Sequence, residues 1–223
     1  MRIEIMMLQN DTSKPYVALF LDVDGVLGPA KYNFNEATEL KEIAKNLSGE
    51  TYHPHHRKYC KTCSKAQAHF LKKDAIQSLN NLIEKIKHAA NVHIIISSTC
   101  RLCRGLDDLK EIFQSYDFSP YIIDKTIDNN PLSDKWKEYC FISHEGKNLD
   151  RECRASQIQR WTIKHSEYAG FIVFDDRDDH LPDNFGDKFI STDHKDCQIL
   201  KPEDCKKAYI SIMNQLGIIK NDY

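Results

Sequence analysis

Short apolar runs alternate with longer stretches of mixed polarity along most of this chain. The run Tyr16-Val17-Ala18-Leu19-Phe20-Leu21 lies between Pro15 and the segment Asp22-Val23-Asp24-Gly25. Six apolar or aromatic residues without polar alternation predict a strand buried on both faces, as in a parallel sheet. His93-Ile94-Ile95-Ile96 predicts a second such strand, ending in Ser97-Ser98-Thr99. Gly170-Phe171-Ile172-Val173-Phe174 predicts another, ending in Asp175-Asp176-Arg177-Asp178-Asp179. Shorter strands are expected at 121–124 and 188–190.

Between the strands the apolar period lengthens to that of a helix. Ala37, Leu40, Ile43, Ala44 and Leu47 share one face over 35–47, as do Ala75, Ile76, Leu79, Leu82, Ile83 and Ile86 over 74–89. Further helices are expected over 106–116 and over 150–164, the latter with Ile158, Trp161 and Thr162 facing inward. A last helix over 202–216 has Cys205, Ala208, Tyr209, Ile212 and Met213 on its apolar side. Strands alternating with helices predict an α/β fold with a doubly wound, mainly parallel sheet. Residues 1–14 are polar and irregular, an extension ahead of one domain over 15–217. An insertion at about 28–71 follows the first strand; within it, 48–65 is rich in His, Lys and Cys and reads as a loop or flap.

The strand ends carry the candidate chemistry, because active sites of open α/β sheets lie at the carboxyl ends of their strands. Asp22 and Asp24 stand there beside a glycine, which suits a Mg²⁺ site with a carboxylate nucleophile. Asp22 is the candidate nucleophile. Asp24, at the bend, is the candidate general acid and then base. Ser97 would hydrogen-bond a phosphoryl oxygen, with Ser98 as the alternative, since a shift of one residue changes which hydroxyl points inward. Asp176 is the candidate third metal contact, supported by Asp175 and Asp179. Arg154 would stabilise phosphoryl charge, with Arg151 and Arg160 near enough in sequence to compete. An Asp-Gly pair alone is ordinary turn chemistry; three such strand ends in this order are a much stronger signal.

With those ends the chain resembles the haloacid dehalogenase (HAD) superfamily of phosphatases and phosphotransferases, most densely at 19–27, 94–101 and 154–193. The stretch Arg154-Ala155-Ser156-Gln157-Ile158-Gln159-Arg160-Trp161, leading to Phe174-Asp175-Asp176, is similar to HAD-like domains of bacterial RNA-repair proteins. The resemblance implies a Rossmann-like core with a small flap or minimal cap insertion. It also implies an aspartyl-phosphate on Asp22 and a Mg²⁺ held by Asp22, the backbone carbonyl of Asp24 and the last-strand aspartate. An acid at 24 points to a phosphatase or phosphomutase, since dehalogenase-type members lack one there. Two positions depart from the family pattern: Val26 stands at the usual threonine, and Arg154 at the usual lysine.

Composition narrows the partners. The 31 basic and 33 acidic residues are interspersed and leave a net charge of −2, so no positive field points to nucleic acid. No apolar stretch approaches the roughly 20 residues of a membrane span, and there is no signal-peptide pattern. The expected location is the cytoplasm, or a host cell reached by a signal-independent route. The eight cysteines read as reduced thiols. His53, His55, His56, Cys60 and Cys63 have zinc-like spacing, and a flap with incidental thiols would look the same. Cys100 and Cys103 lack the Cys-x5-Arg loop of cysteine phosphatases. The expected partner of so lightly capped a site is a phosphorylated protein, phosphotyrosine first, by resemblance to the HAD-type tyrosine phosphatases of intracellular bacterial effectors. A nucleotide or nucleic-acid-end phosphatase is the alternative enzyme. A catalytically inactive interaction module is the alternative of another class.

Overall fold

The computed structural model describes residues 11–29, 34–48, 68–98, 105–126, 154–177, 181–192 and 199–219. Among these residues five strands form one sheet: β1 (Tyr16–Leu21), β2 (Asn91–Ile96), β3 (Ile122–Lys125), β4 (Tyr168–Asp175) and β5 (Phe189–Ser191). Their order is β3-β2-β1-β4-β5 and every pairing is parallel. The central strand is the one whose sequence has no polar alternation. Val17 to Leu21 are fully buried, because helices cover both faces of β1.

Among the described residues six α-helices accompany the sheet: α1 (Phe34–Ser48), α2 (Lys73–Ile86), α3 (Leu106–Phe113), α4 (Arg154–Lys164), α5 (Leu181–Phe185) and α6 (Pro202–Gln215). Leu19, Leu21, Ile94, Ile96, Ile172 and Phe174 face one core with the apolar sides of α2, α3 and α6. Ala18, Phe20, Ile95 and Val173 face the other, against Ala155, Ile158 and Trp161 of α4 and Leu181 and Phe185 of α5. Phe20 meets Trp161 edge to face at 5.2 Å between ring centres. The period-2 alternation has a consequence at the strand ends. Continuing 18, 20 and 173 by steps of two brings positions 22 and 175 to the α4 side of the sheet.

Thr162, expected on the inner face of α4, is only half-buried and donates its hydroxyl to the Gln159 carbonyl at 2.8 Å. The inner face is set instead by Arg154, Ala155, Gln157, Ile158 and Trp161, and Thr162 sits at its margin. In α1, Ile43 is half-buried; the side chains of Ala37, Leu40, Ala44 and Leu47 lie outside the described residues. So do Asp178, Asp179, Arg151, Cys100, Cys103 and the whole His/Cys segment from His53 to Cys63. The insertion after β1 returns beside its point of departure, where the Lys72 amide donates to the Leu27 carbonyl at 2.7 Å. No helix among the described residues is long and apolar enough to cross a membrane.

Candidate active site

The chain changes direction across the sheet at β1. It builds outward through β2 and β3 on one side, then returns to place β4 and β5 on the other. Such a switch leaves a crevice at the carboxyl ends of the two strands that flank it. Asp22 follows β1, Asp175 ends β4, and Asp176 comes next. One oxygen of each of these three carboxylates lies within 4.8 Å of the others.

Asp22 is 3% exposed. Its Oδ1 accepts the Val23 amide at 2.9 Å, and its Oδ2 lies 2.9 Å from Nη1 of Arg154. Burial pushes its carboxyl up, but the Arg154 charge, hydrogen bonds from Ser98 and Arg154, and the Val23 amide outweigh that and hold it below its ordinary value. Arg154 opens α4 from the face where alternation placed positions 22 and 175. The same Nη1 that reaches Asp22 also bonds Asp175. Among the described residues, Arg154 is thus the arginine that meets both carboxylates; Arg160 lies six residues further along the helix.

The two adjacent acids of β4 have different surroundings. Asp175 is fully buried, with Oδ2 on Arg154 and Oδ1 accepting the Arg177 amide at 3.0 Å. Both its oxygens are engaged by this protein's own donors. Asp176, just past the end of β4, is half-buried, and its Oδ1 is buried without a hydrogen-bond partner among the described residues. It packs against Gly25, where φ is +88° and a methyl group would overlap the Asp176 carboxyl. Glycine is therefore required twice over at 25, for its backbone angle and for this close approach.

The loop from Asp22 to Gly28 is tightly wound, since the Val23 carbonyl accepts the amides of Val26, Leu27 and Gly28 at 3.0–3.3 Å. Asp24 sits half-buried on it, beyond the end of β1. Of the two candidate serines, Ser98 is the one whose side chain helps to lower the Asp22 carboxyl. Ser97, the first choice from sequence, is fully buried beside it, and its amide donates to the Leu21 carbonyl at 3.0 Å. The reason is that β2 stops at Ile96, so alternation no longer governs where either serine points. A further residue joins the site without any signal in the spacing. Thr192, just past β5, is fully buried and donates its hydroxyl to the Gly25 carbonyl at 2.7 Å.

The residues present fit a divalent cation. Hard cations such as Mg²⁺ take carboxylate and carbonyl oxygens, and the buried Oδ1 of Asp176 beside Asp22 is an acceptor with no hydrogen-bond donor among the described residues. Burial and the neighbouring Asp22 charge raise Asp176 above its ordinary value, and raise Asp175 from 3.8 to about 7. Raised acids bind protons more readily folded than unfolded. Their contribution to stability is therefore full below the unfolded value and lost as pH rises through the folded one. A bound cation would remove that loss. The Mg²⁺-induced rise in Tm should accordingly be larger at about pH 8 than at about pH 5, in protein stripped with chelator beforehand. An equal rise at both, read by calorimetry, would contradict a cation among these carboxylates.

The fold and the site define an α/β domain with carboxylate chemistry at the switch point of a parallel sheet. The chain belongs to the family of HAD domains found in Swiss Army Knife RNA repair proteins, whose family model matches residues 18–197. Membership suggests phosphoester hydrolysis as the class of activity. A haloacid dehalogenase-like hydrolase from Streptococcus pneumoniae is similar at 12% identity, over 77% of this chain and 80% of that one, with a TM-score of 0.32. No curated protein matches the chain.

Proposed function

We propose that this protein is a Mg²⁺-dependent phosphomonoesterase acting through an aspartyl-phosphate on Asp22, with phosphorylated protein side chains, phosphotyrosine foremost, as substrates. The observation that carries the reading is the condition of Asp22. It is buried, held ionised by Arg154, Ser98 and the Val23 amide, and grouped with a second carboxylate that has an unpartnered oxygen. A carboxylate kept anionic at the mouth of a strand is equipped for nucleophilic attack.

In this reading an Asp22 oxygen attacks phosphorus as the ester P–O bond breaks. Asp24 gives its proton to the departing oxygen. Asp24 then takes a proton from water, the water oxygen attacks phosphorus, and the bond to Asp22 breaks to release phosphate. Arg154 orients Asp22 and faces the developing phosphoryl charge. Asp22, Asp176 and the Asp24 carbonyl would hold Mg²⁺, which supplies neutralisation of the phosphate charge that otherwise repels Asp22. Asp175 keeps Arg154 in place.

The protein substrate is supported by the small size of the segments that could cover the strand ends. The insertion at 28–71 is modest and returns beside its start, and the stretch 102–150 is no longer than a helix, a strand and a loop require. A net charge of −2 gives no attraction to a polyanion. The family description favours a second reading, a phosphatase of RNA ends. A panel of phosphotyrosine and phosphoserine peptides, 5′- and 3′-phosphorylated RNA oligomers, nucleotides and a small aryl phosphate distinguishes these. Phosphotyrosine peptides are expected to have the highest kcat/KM, by about tenfold, and a difference of that size corresponds to roughly 1.4 kcal/mol in the barrier. RNA ends leading the panel would establish the second reading. No turnover of any member with Mg²⁺ would leave the interaction module.

A further inference from the structure

Three consecutive carbonyls of the loop after β1 are held by three different later segments. The Gly25 carbonyl accepts from the Thr192 hydroxyl at 2.7 Å, that of Val26 from the Leu200 amide at 2.8 Å, and that of Leu27 from the Lys72 amide at 2.7 Å. Two of these bonds are backbone to backbone. The one at Gly25 comes from a side chain, and it falls on the glycine against which Asp176 packs. Thr192 also donates its own amide to the Asp175 carbonyl at 3.0 Å. A single residue thus grips both acid-bearing segments, the end of β4 through its main chain and the Asp22–Gly25 loop through its hydroxyl.

The grip matters because Gly25 is the loop residue with positive φ, and while its amide is held by the Gly28 carbonyl at 2.7 Å, its own carbonyl is held by the Thr192 hydroxyl. Glycine passes between positive and negative φ with little penalty, so an untethered Gly25 carbonyl can turn, taking with it the surface that seats Asp176 and the peptide that follows Asp24. The loop cannot supply the tether itself, since residues 22–28 include no Ser, Thr or Tyr and Val26 is fully buried in the core. We propose that Thr192 is a positioning residue: its hydroxyl fixes the Asp22–Asp24 loop against the Asp175–Asp176 strand end, and through that spacing sets both Mg²⁺ affinity and turnover. The inference rests on the reading of these carboxylates as the cation site.

Thr192→Val removes the hydroxyl and keeps the shape, whereas Thr192→Ser keeps the hydroxyl and removes a methyl group. Each variant would be studied by calorimetric titration with Mg²⁺, by kcat and KM on a small aryl phosphate, and by Tm. Outer partners of metal sites are worth roughly 10–100-fold in affinity or activity. Thr192→Val is therefore expected to weaken Mg²⁺ binding and lower kcat by about tenfold or more, with KM within about twofold of wild type. Thr192→Ser should recover both to within about threefold, although its Tm falls about as far as that of the valine variant, since each change removes a buried contact. Wild-type Mg²⁺ affinity in Thr192→Val would overturn the inference. So would a serine variant as impaired as the valine one, because the effect would then follow packing and not the hydroxyl. The titration reads independently of substrate. A wild-type protein that binds Mg²⁺ but hydrolyses nothing would overturn the phosphatase reading, and a weakened Thr192→Val would still support the positioning role.

Discussion

Replacing Asp22 by asparagine is expected to abolish phosphate release, by about 10⁴-fold or more, in a protein that remains folded. The side chains are nearly isosteric, so the packing at the end of β1 survives. The electrostatics also tolerate the change. Arg154 loses one of its two carboxylates but keeps Asp175, and Asp175, relieved of the Asp22 charge that raises it, ionises more readily beside the arginine. The Tm of Asp22→Asn should therefore lie close to that of wild type while activity is lost. A variant retaining a tenth of wild-type turnover would show that another group attacks phosphorus.

The second large effect is expected at Arg154, and it falls on stability first. The residue is 6% exposed, and its guanidinium lies between two carboxylates that are themselves buried. Removing one partner from a buried ion pair costs about 3–5 kcal/mol, because the charge left behind has neither water nor a counter-ion. Arg154→Met leaves two such charges, so denaturant unfolding in chelator should show a loss at the upper part of that range. Mg²⁺ should restore part of it in the variant, since a cation among Asp22, Asp175 and Asp176 supplies the missing positive charge. Arg154→Lys should fall between, keeping the charge but not the planar fork that spans two carboxylates. A loss below about 1 kcal/mol in Arg154→Met, or no response to Mg²⁺, would mean that these acids are solvated and that the arginine does not organise them.

The strands of this fold are legible in sequence because the sheet is parallel and covered on both faces. β1 and β2 consist almost wholly of residues that must be buried, and that pattern is hard to mistake. Asp22, Asp175 and Asp176 could be found for the same reason: carboxylates directly after such runs stand out. What could not be read is which side of the strand each acid faces. That depends on where β4 ends and on the position of α4, so Asp175 as the arginine's partner and Asp176 as the acid with the unpartnered oxygen are distinguishable only in three dimensions. Ser97 and Ser98 pose the same problem just beyond β2, where the chain bends and the alternation is lost. Thr192 lay furthest from reach. It follows a strand of three residues and meets a carbonyl 167 positions earlier, and no spacing rule connects them.

The central claim is that Asp22 becomes covalently phosphorylated, and trapping that species tests it most directly. If Asp24 is the base that activates water for the second step, an Asp24→Asn variant should accumulate the first step's product on a substrate with a good leaving group. The protein would be mixed with a small aryl phosphate and Mg²⁺, quenched in acid, digested and examined by mass spectrometry. The account predicts a phosphoryl adduct on the peptide carrying Asp22, removed by hydroxylamine and missing when Asp22 is also replaced by asparagine. A wild-type enzyme that turns over the substrate while neither it nor the Asp24→Asn variant ever carries phosphate at Asp22, or an adduct on a different residue, would contradict it.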